Sequence, residues 1–136
     1  MCIRDSPLRI PGATVEYSID TRNEGNGSPD SGTVIVYDVV PANTIMCVGS
    51  PCRGGDPVRF VDGANSSGLS FSYPADVTFS SQVGGGAPFN YTPSPDADGF
   101  DPDVKGFRAA PTGVFNSSSG TAPHPSFEML FRVKVD

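Results

Sequence analysis

The stretch that decides the fold runs from Pro11 to Thr44 and reads PGATVEYSIDTRNEGNGSPDSGTVIVYDVVPANT. Near its start, Val15, Tyr17 and Ile19 alternate with polar residues. This period of two is typical of a half-buried strand in an antiparallel sheet, because successive side chains of a strand point to opposite faces. The stretch therefore predicts a strand that buries one face.

A reversal and a second strand follow within the same stretch. Residues 23–27 are Asn-Glu-Gly-Asn-Gly, and Asn and Gly tolerate the positive φ that tight turns need. The apolar run from Thr33 to Val39 predicts the second strand. Pro41 ends it, because proline cannot donate to a sheet ladder.

The clearest alternation in the chain lies near its end, from Ser126 to Val135. We expect this strand to be central in its sheet, with Phe131 buried. Between the two regions, short strands are predicted at 44–48, 58–61, 69–73, 77–80, 89–92 and 104–109, with a hairpin tip at 84–86 and polar loops at 93–103 and 116–125. Since no segment has a helical period, the chain is predicted to be an all-β, immunoglobulin-like Greek-key sandwich of eight or nine antiparallel strands.

Length and charge narrow the class further. A chain of 136 residues suits one domain. The net charge of −6 and the two lysines argue against binding to nucleic acid or to anionic membranes. No run approaches the roughly 20 apolar residues of a membrane-spanning helix, so direct membrane insertion is not predicted.

The first six residues, Met1 to Ser6, resemble a translated sequencing adapter and contain no signal peptide. We interpret them as a non-native tail and place the domain at residues 7–136. Cys47 and Cys52 are the two cysteines outside this tail. They could form a disulfide that closes a small loop or remain as two free thiols, and without a nearby His they make a poor zinc site.

Four carboxylates within eight residues, Asp96, Asp98, Asp101 and Asp103, are the sharpest chemical feature. Calcium would relieve their mutual repulsion and prefers oxygen-rich loops. The alternative is a solvated loop, because the order of residues is not that of an EF-hand and Asp beside Gly or Pro is ordinary turn chemistry. No other cofactor is predicted.

His124 is the chain's single histidine and lies between two prolines. A serine nucleophile needs a His base that a carboxylate orients, often with the serine in a Gly-x-Ser-x-Gly turn, and that motif is absent. We therefore interpret His124 as a surface residue and predict that the chain is not an enzyme.

Three segments of the opening stretch, 11–17, 23–27 and 38–44, together resemble the bacterial conserved repeat domain, also called domain of unknown function eleven. Residues 91–93, 95–99, 108, 111–113 and 126–135 resemble a terminal variant of that family. The resemblance implies an immunoglobulin-like, non-catalytic structural or adhesive module of a secreted or cell-surface protein. Its implied partners are neighbouring repeats, and a surface protein or a glycan.

The resemblance also has a structural consequence. The family usually has a strand before the Pro11-Gly12 turn, so the domain is expected to lack its first strand and to leave a sheet edge unpaired, which favours association. A calcium- or carbohydrate-binding sandwich is the alternative function.

Overall fold

The computed structural model describes residues 11–50, 52 and 56–136, and this part of the chain is all-β without a helix. It therefore contains no helix that could cross a membrane. The predicted tail of residues 1–6 lies outside the described residues. The strands are β1 (Thr14–Arg22), β2 (Val36–Val39), β3 (Thr44–Cys47), β4 (Val58–Asp62), β5 (Leu69–Ser70), β6 (Val77–Ser80), β7 (Phe100–Asp101), β8 (Gly106–Ala109), β9 (Thr112–Gly113) and β10 (Ser126–Val135).

The last strand, β10, organises a five-stranded sheet. One of its edges pairs antiparallel with the whole of β1, from Thr14 opposite Lys134 to Arg22 opposite Ser126. Its other edge pairs with β4 and then with β3. Inward-facing residues at every second position are fully buried, as the alternation predicts, and Phe131 is 0% exposed. The central position predicted for this strand is confirmed.

The strands β3 and β4 run one after the other along the same edge of β10. Met46 lies opposite Val133 and Val58 lies opposite Phe131, so Arg132 faces the gap between them. The chain leaves the sheet after Cys47 and returns at Val58. We call the intervening segment, residues 48–57, the excursion; residues 51 and 53–55 of it lie outside the described part of the chain.

A three-stranded antiparallel sheet, in the order β2-β8-β6, lies against the five-stranded one. Phe107 of β8 makes an edge-to-face contact with Phe131 of β10, with ring centroids 5.1 Å apart. Tyr17 of β1 stacks on the same Phe131 at 5.3 Å. The apolar faces of the two sheets therefore share one aromatic core, an arrangement consistent with a β-sandwich. A further pair, β5 and β9, forms a two-stranded sheet.

Several local predictions were wrong. Residues 89–92 form no strand, because only Tyr91 pairs, in an isolated bridge with Phe79. The polar loop predicted at residues 93–103 contains a strand, β7, which pairs with β3. The described residues form ten strands instead of eight or nine. The extra ones are two-residue elements, which are too short to show a period in the sequence.

Candidate functional site

The excursion is fastened at three points. Cys47 and Cys52 are joined by a disulfide across a sequence separation of 5 residues. Arg132, at the gap between β3 and β4, donates from Nη1 to the Cys52 carbonyl at 3.1 Å. The N–H groups of Val48 and Gly49 both donate to the Gly99 carbonyl, at 2.8 and 3.1 Å. The disulfide therefore links the five-stranded sheet to the excursion, and the excursion in turn contacts residues 96–103, which we call the Asp-rich segment.

Gly99 is required at this junction by its conformation and by its surroundings. Its φ is +89°, in the left-handed region, and a Cβ there would lie 2.5 Å from the Gly49 carbonyl oxygen. A side chain would therefore be strained and would push the excursion away.

Asp101 holds the Asp-rich segment from within. Its side chain is 1% exposed, and it accepts three hydrogen bonds: from the Tyr91 hydroxyl at 2.8 Å, the Ser94 N–H at 2.7 Å and the Asp103 N–H at 2.9 Å. Burial and then the Asp101 carboxylate raise the pKa of Tyr91 to about 12. A buried carboxylate is tolerated when hydrogen bonds replace its water, so Asp101 is a structural anchor.

Asp96 organises the turn before β7. Its carboxylate accepts the N–H groups of Asp98 and Phe100, at 2.9 and 3.0 Å, and the bond from Phe100 is the main reason that the pKa of Asp96 is lowered. The side chains of Asp98 and Asp103 are exposed. Within the described residues, no group of three or more His, Cys, Asp or Glu side chains is arranged to hold a metal ion. The four carboxylates predicted as a possible calcium site therefore do not converge, because two of them are bound to backbone N–H groups.

His124 contacts a serine that the sequence did not single out. The Oγ of Ser118 lies 2.6 Å from Nδ1 of His124, and the Ser118 side chain is 6% exposed. The same Oγ accepts the Gly120 N–H at 3.0 Å, and the Ser118 N–H donates to the Gly25 carbonyl at 2.7 Å. No described carboxylate orients the imidazole. The pair therefore fastens the 116–125 loop to the turn after β1.

A concave surface lies on the outer face of the three-stranded sheet. We call it the β2–β8 groove, and its volume is 520 Å³. Its floor includes Tyr37 and Arg108, which face each other across β2 and β8. Val39 and Phe89 add apolar walls, and the segment 84–86 closes one side. This groove could not be predicted from the sequence, because the alternation in a four-residue strand does not indicate which of its faces remains exposed.

The edge of β2 carries an unusual carboxylate. Asp38 lies opposite the buried Phe107, and its Oδ1 accepts the N–H of the next residue, Val39, at 2.8 Å. Its Oδ2 is buried, and no described group donates to it. Burial raises the pKa of Asp38, against the opposing effect of the Val39 bond. A charge at such a position disfavours the pairing of another strand with the edge of β2.

Comparison with protein-family models, with curated proteins and with solved structures finds no match to this chain.

Proposed function

We propose that the chain is a non-catalytic structural or adhesive module of a secreted or cell-surface bacterial protein, with an immunoglobulin-like Greek-key topology. The observation that carries the proposal is the use made of its polar side chains. Asp101, Asp96 and the Ser118–His124 pair all make hydrogen bonds within the domain, and these bonds fix the conformation of its loops. Side chains committed in this way favour a rigid scaffold over a reaction centre.

The disulfide supports the extracellular part of the proposal. Disulfides persist in oxidising compartments and are rare in a reducing cytoplasm. The bond between Cys47 and Cys52 closes a small loop, and in the loop-entropy account such a closure contributes about 2 kcal/mol. A module that works outside the cell would keep this contribution. The partners we propose are neighbouring repeats of the same protein, and a surface protein or a glycan.

The proposal is tested by exporting the chain to an oxidising compartment and titrating its thiols after denaturation. We expect Cys47 and Cys52 to be unreactive, and reduction to lower the free energy of unfolding by about 2 kcal/mol. Replacing both cysteines by serine serves as the matched control, since this variant should be insensitive to reductant. Two free thiols in the exported protein, or equal stability with and without reductant, would contradict the extracellular assignment.

Calcium binding is tested with the same protein. Melting curves are recorded in millimolar calcium and in chelator. The double variant Asp98→Asn/Asp103→Asn serves as the control, because it removes the two carboxylates that face solvent. Because Asp96 and Asp101 are engaged with N–H groups, we expect no shift in melting temperature. A shift that the double variant abolishes would restore the calcium-binding alternative.

A further inference from the structure

The β2–β8 groove contains the guanidinium of Arg108. Arg108 of β8 is half-buried, and within the described part of the chain its guanidinium makes no hydrogen bond or ion pair. By contrast, Arg22 pairs with Glu24, and Arg132 pairs with Glu16 at 2.8 Å. On a chain of net charge −6, Arg108 therefore offers a positive charge to a ligand in the groove. Its planar fork of donors matches a carboxylate in a bidentate geometry.

An aromatic surface lies directly beside this cation. Tyr37 faces Arg108 in the register of β2 and β8, and its side chain is 61% exposed. The N–H of Val40 donates to the carbonyl of Lys105, the residue before β8, so the alternation of the ladder makes Tyr37 and Arg108 a non-hydrogen-bonded pair. Side chains in such pairs are close together. One ligand can therefore contact the ring and the guanidinium at the same time.

The wall of the groove is held in place before any ligand arrives. The N–H of Gly85 donates to the Gln82 carbonyl at 2.8 Å, and the hydroxyl of the buried Ser80 donates to the Gly86 carbonyl. Gly85 has a φ of +72°, and a Cβ there would lie 2.5 Å from the Lys105 carbonyl oxygen. This wall can press against the sheet only because the residue is glycine. A preformed wall lowers the entropy cost of binding.

We propose that the β2–β8 groove binds a uronic acid unit of an acidic polysaccharide. The carboxylate of the sugar pairs with Arg108, and the apolar C–H face of the ring packs on Tyr37. A peptide that added a strand to β2 is the less suitable occupant. The Val39 N–H, which such a strand would need, is already bound by the Asp38 carboxylate. The inference deepens the glycan-binding form of the proposed adhesive function and rests on it.

The test measures binding of the trimers of galacturonic, glucuronic and mannuronic acid to the whole chain by calorimetry and by NMR. We expect at least one trimer to bind, and Arg108→Gln to weaken it by about tenfold or more, since the lost contact is charge-assisted. Arg59→Gln is the matched control, because Arg59 is exposed on β4, outside the groove, and its loss should leave the affinity unchanged. The methyl ester of the bound trimer should bind far more weakly, because it lacks the carboxylate.

Three results would overturn the inference: no binding of any trimer, equal binding of the ester, or full affinity in Arg108→Gln. Equal binding of triglutamate would show that any carboxylate suffices and would refute the assignment to sugars. These outcomes are separate from the thiol titration, which tests the extracellular module whether or not the groove binds a glycan. A variant that unfolds is recognised by its circular dichroism, and Tyr37→Ala then provides a second test, since Tyr37 is exposed and its ring is the proposed stacking surface.

Discussion

Removing the hydroxyl of Tyr91 should destabilise the domain, because that hydroxyl is one of three donors to the buried carboxylate of Asp101. A hydrogen bond to a charged group contributes about 1.5–3 kcal/mol. Tyr91→Phe leaves the other two donors in place, so we expect a loss of about 2 kcal/mol. Asp101→Ala deletes the acceptor of all three, and we expect a loss of about 4 kcal/mol because water can reach some of the freed donors.

The assay is equilibrium unfolding in urea, followed by circular dichroism because the chain has no tryptophan. Tyr73→Phe is the matched control. Tyr73 also packs against Phe79, but its hydroxyl makes no hydrogen bond in the described part of the chain, so its loss should change stability by less than about 0.5 kcal/mol. Asp101→Asn keeps the shape and one acceptor oxygen, and should lie between the parent and Asp101→Ala.

The ionisation of Tyr91, followed by ultraviolet absorbance, tests the contact with Asp101 without measuring the free energy of unfolding. The pKa of Tyr91 is raised to about 12, and burial also raises the pKa of Tyr73. In an ultraviolet titration of the four tyrosines, the step near pH 12 should therefore be the one that is missing in Tyr91→Phe. Since the native state keeps this proton longer than the unfolded state, stability should fall as the pH rises from about 10 towards 12. If Tyr91→Phe is as stable as Tyr73→Phe and no late step appears, Asp101 does not anchor the segment as described.

Three further predictions concern the core and two carboxylates. Phe131→Ala should cost about 3–5 kcal/mol in urea unfolding, because it empties the contact between the two sheets, and a variant that unfolds like the parent would refute the register of β10. Asp38→Asn should raise the melting temperature at neutral pH, because the raised pKa of Asp38 means that its ionised form opposes folding. This gain in melting temperature should shrink at acidic pH, where Asp38 of the parent is protonated. A gain that does not depend on pH would contradict this explanation. Glu128→Gln should raise the free energy of unfolding by about a few tenths of a kcal/mol at neutral pH, because burial and then the facing Asp20 raise the pKa of Glu128. The same shift makes the parent lose stability as the pH rises through that pKa. An equal effect at pH 3 would exclude the carboxylate as its source.

The long strands could be predicted from the sequence because the residues of a half-buried strand are alternately apolar, on the buried face, and polar, on the exposed face. The strand at Ser126–Val135 has the bounds that its alternation predicts, and so has Val77–Ser80. The segment 89–92 has similar apolar content, but Pro88 and Pro93 flank it and the Tyr91 hydroxyl is directed to Asp101. Alternation records burial, and it does not record which neighbouring strand supplies the hydrogen bonds.

The polar chemistry could be predicted only in part, because the role of a carboxylate depends on what the fold brings to it. The four aspartates of the Asp-rich segment look alike in sequence, yet Asp101 is buried on three donors while Asp98 is exposed. Asp38 and Arg108 belong to segments that carry the family resemblance, but the sequence predicts no role for their side chains. Their importance comes from lying on an edge strand and on the open face of a sheet, and those positions are set by pairings between distant segments.

The pairing of β1 with β10 also limits how the module can join its neighbours. Because the two strands are antiparallel, the chain that enters at Gly12 runs beside the chain that leaves at Val135, and the Gly12 N–H donates to the Val135 carbonyl at 2.7 Å. A pull applied at these two points would separate the strands one hydrogen bond after another, whereas a pull on opposite ends would load all the bonds of the ladder together. A module attached here would therefore project from a larger protein more readily than it would carry tension along a chain. Within the proposed function, this geometry favours adhesion over load-bearing.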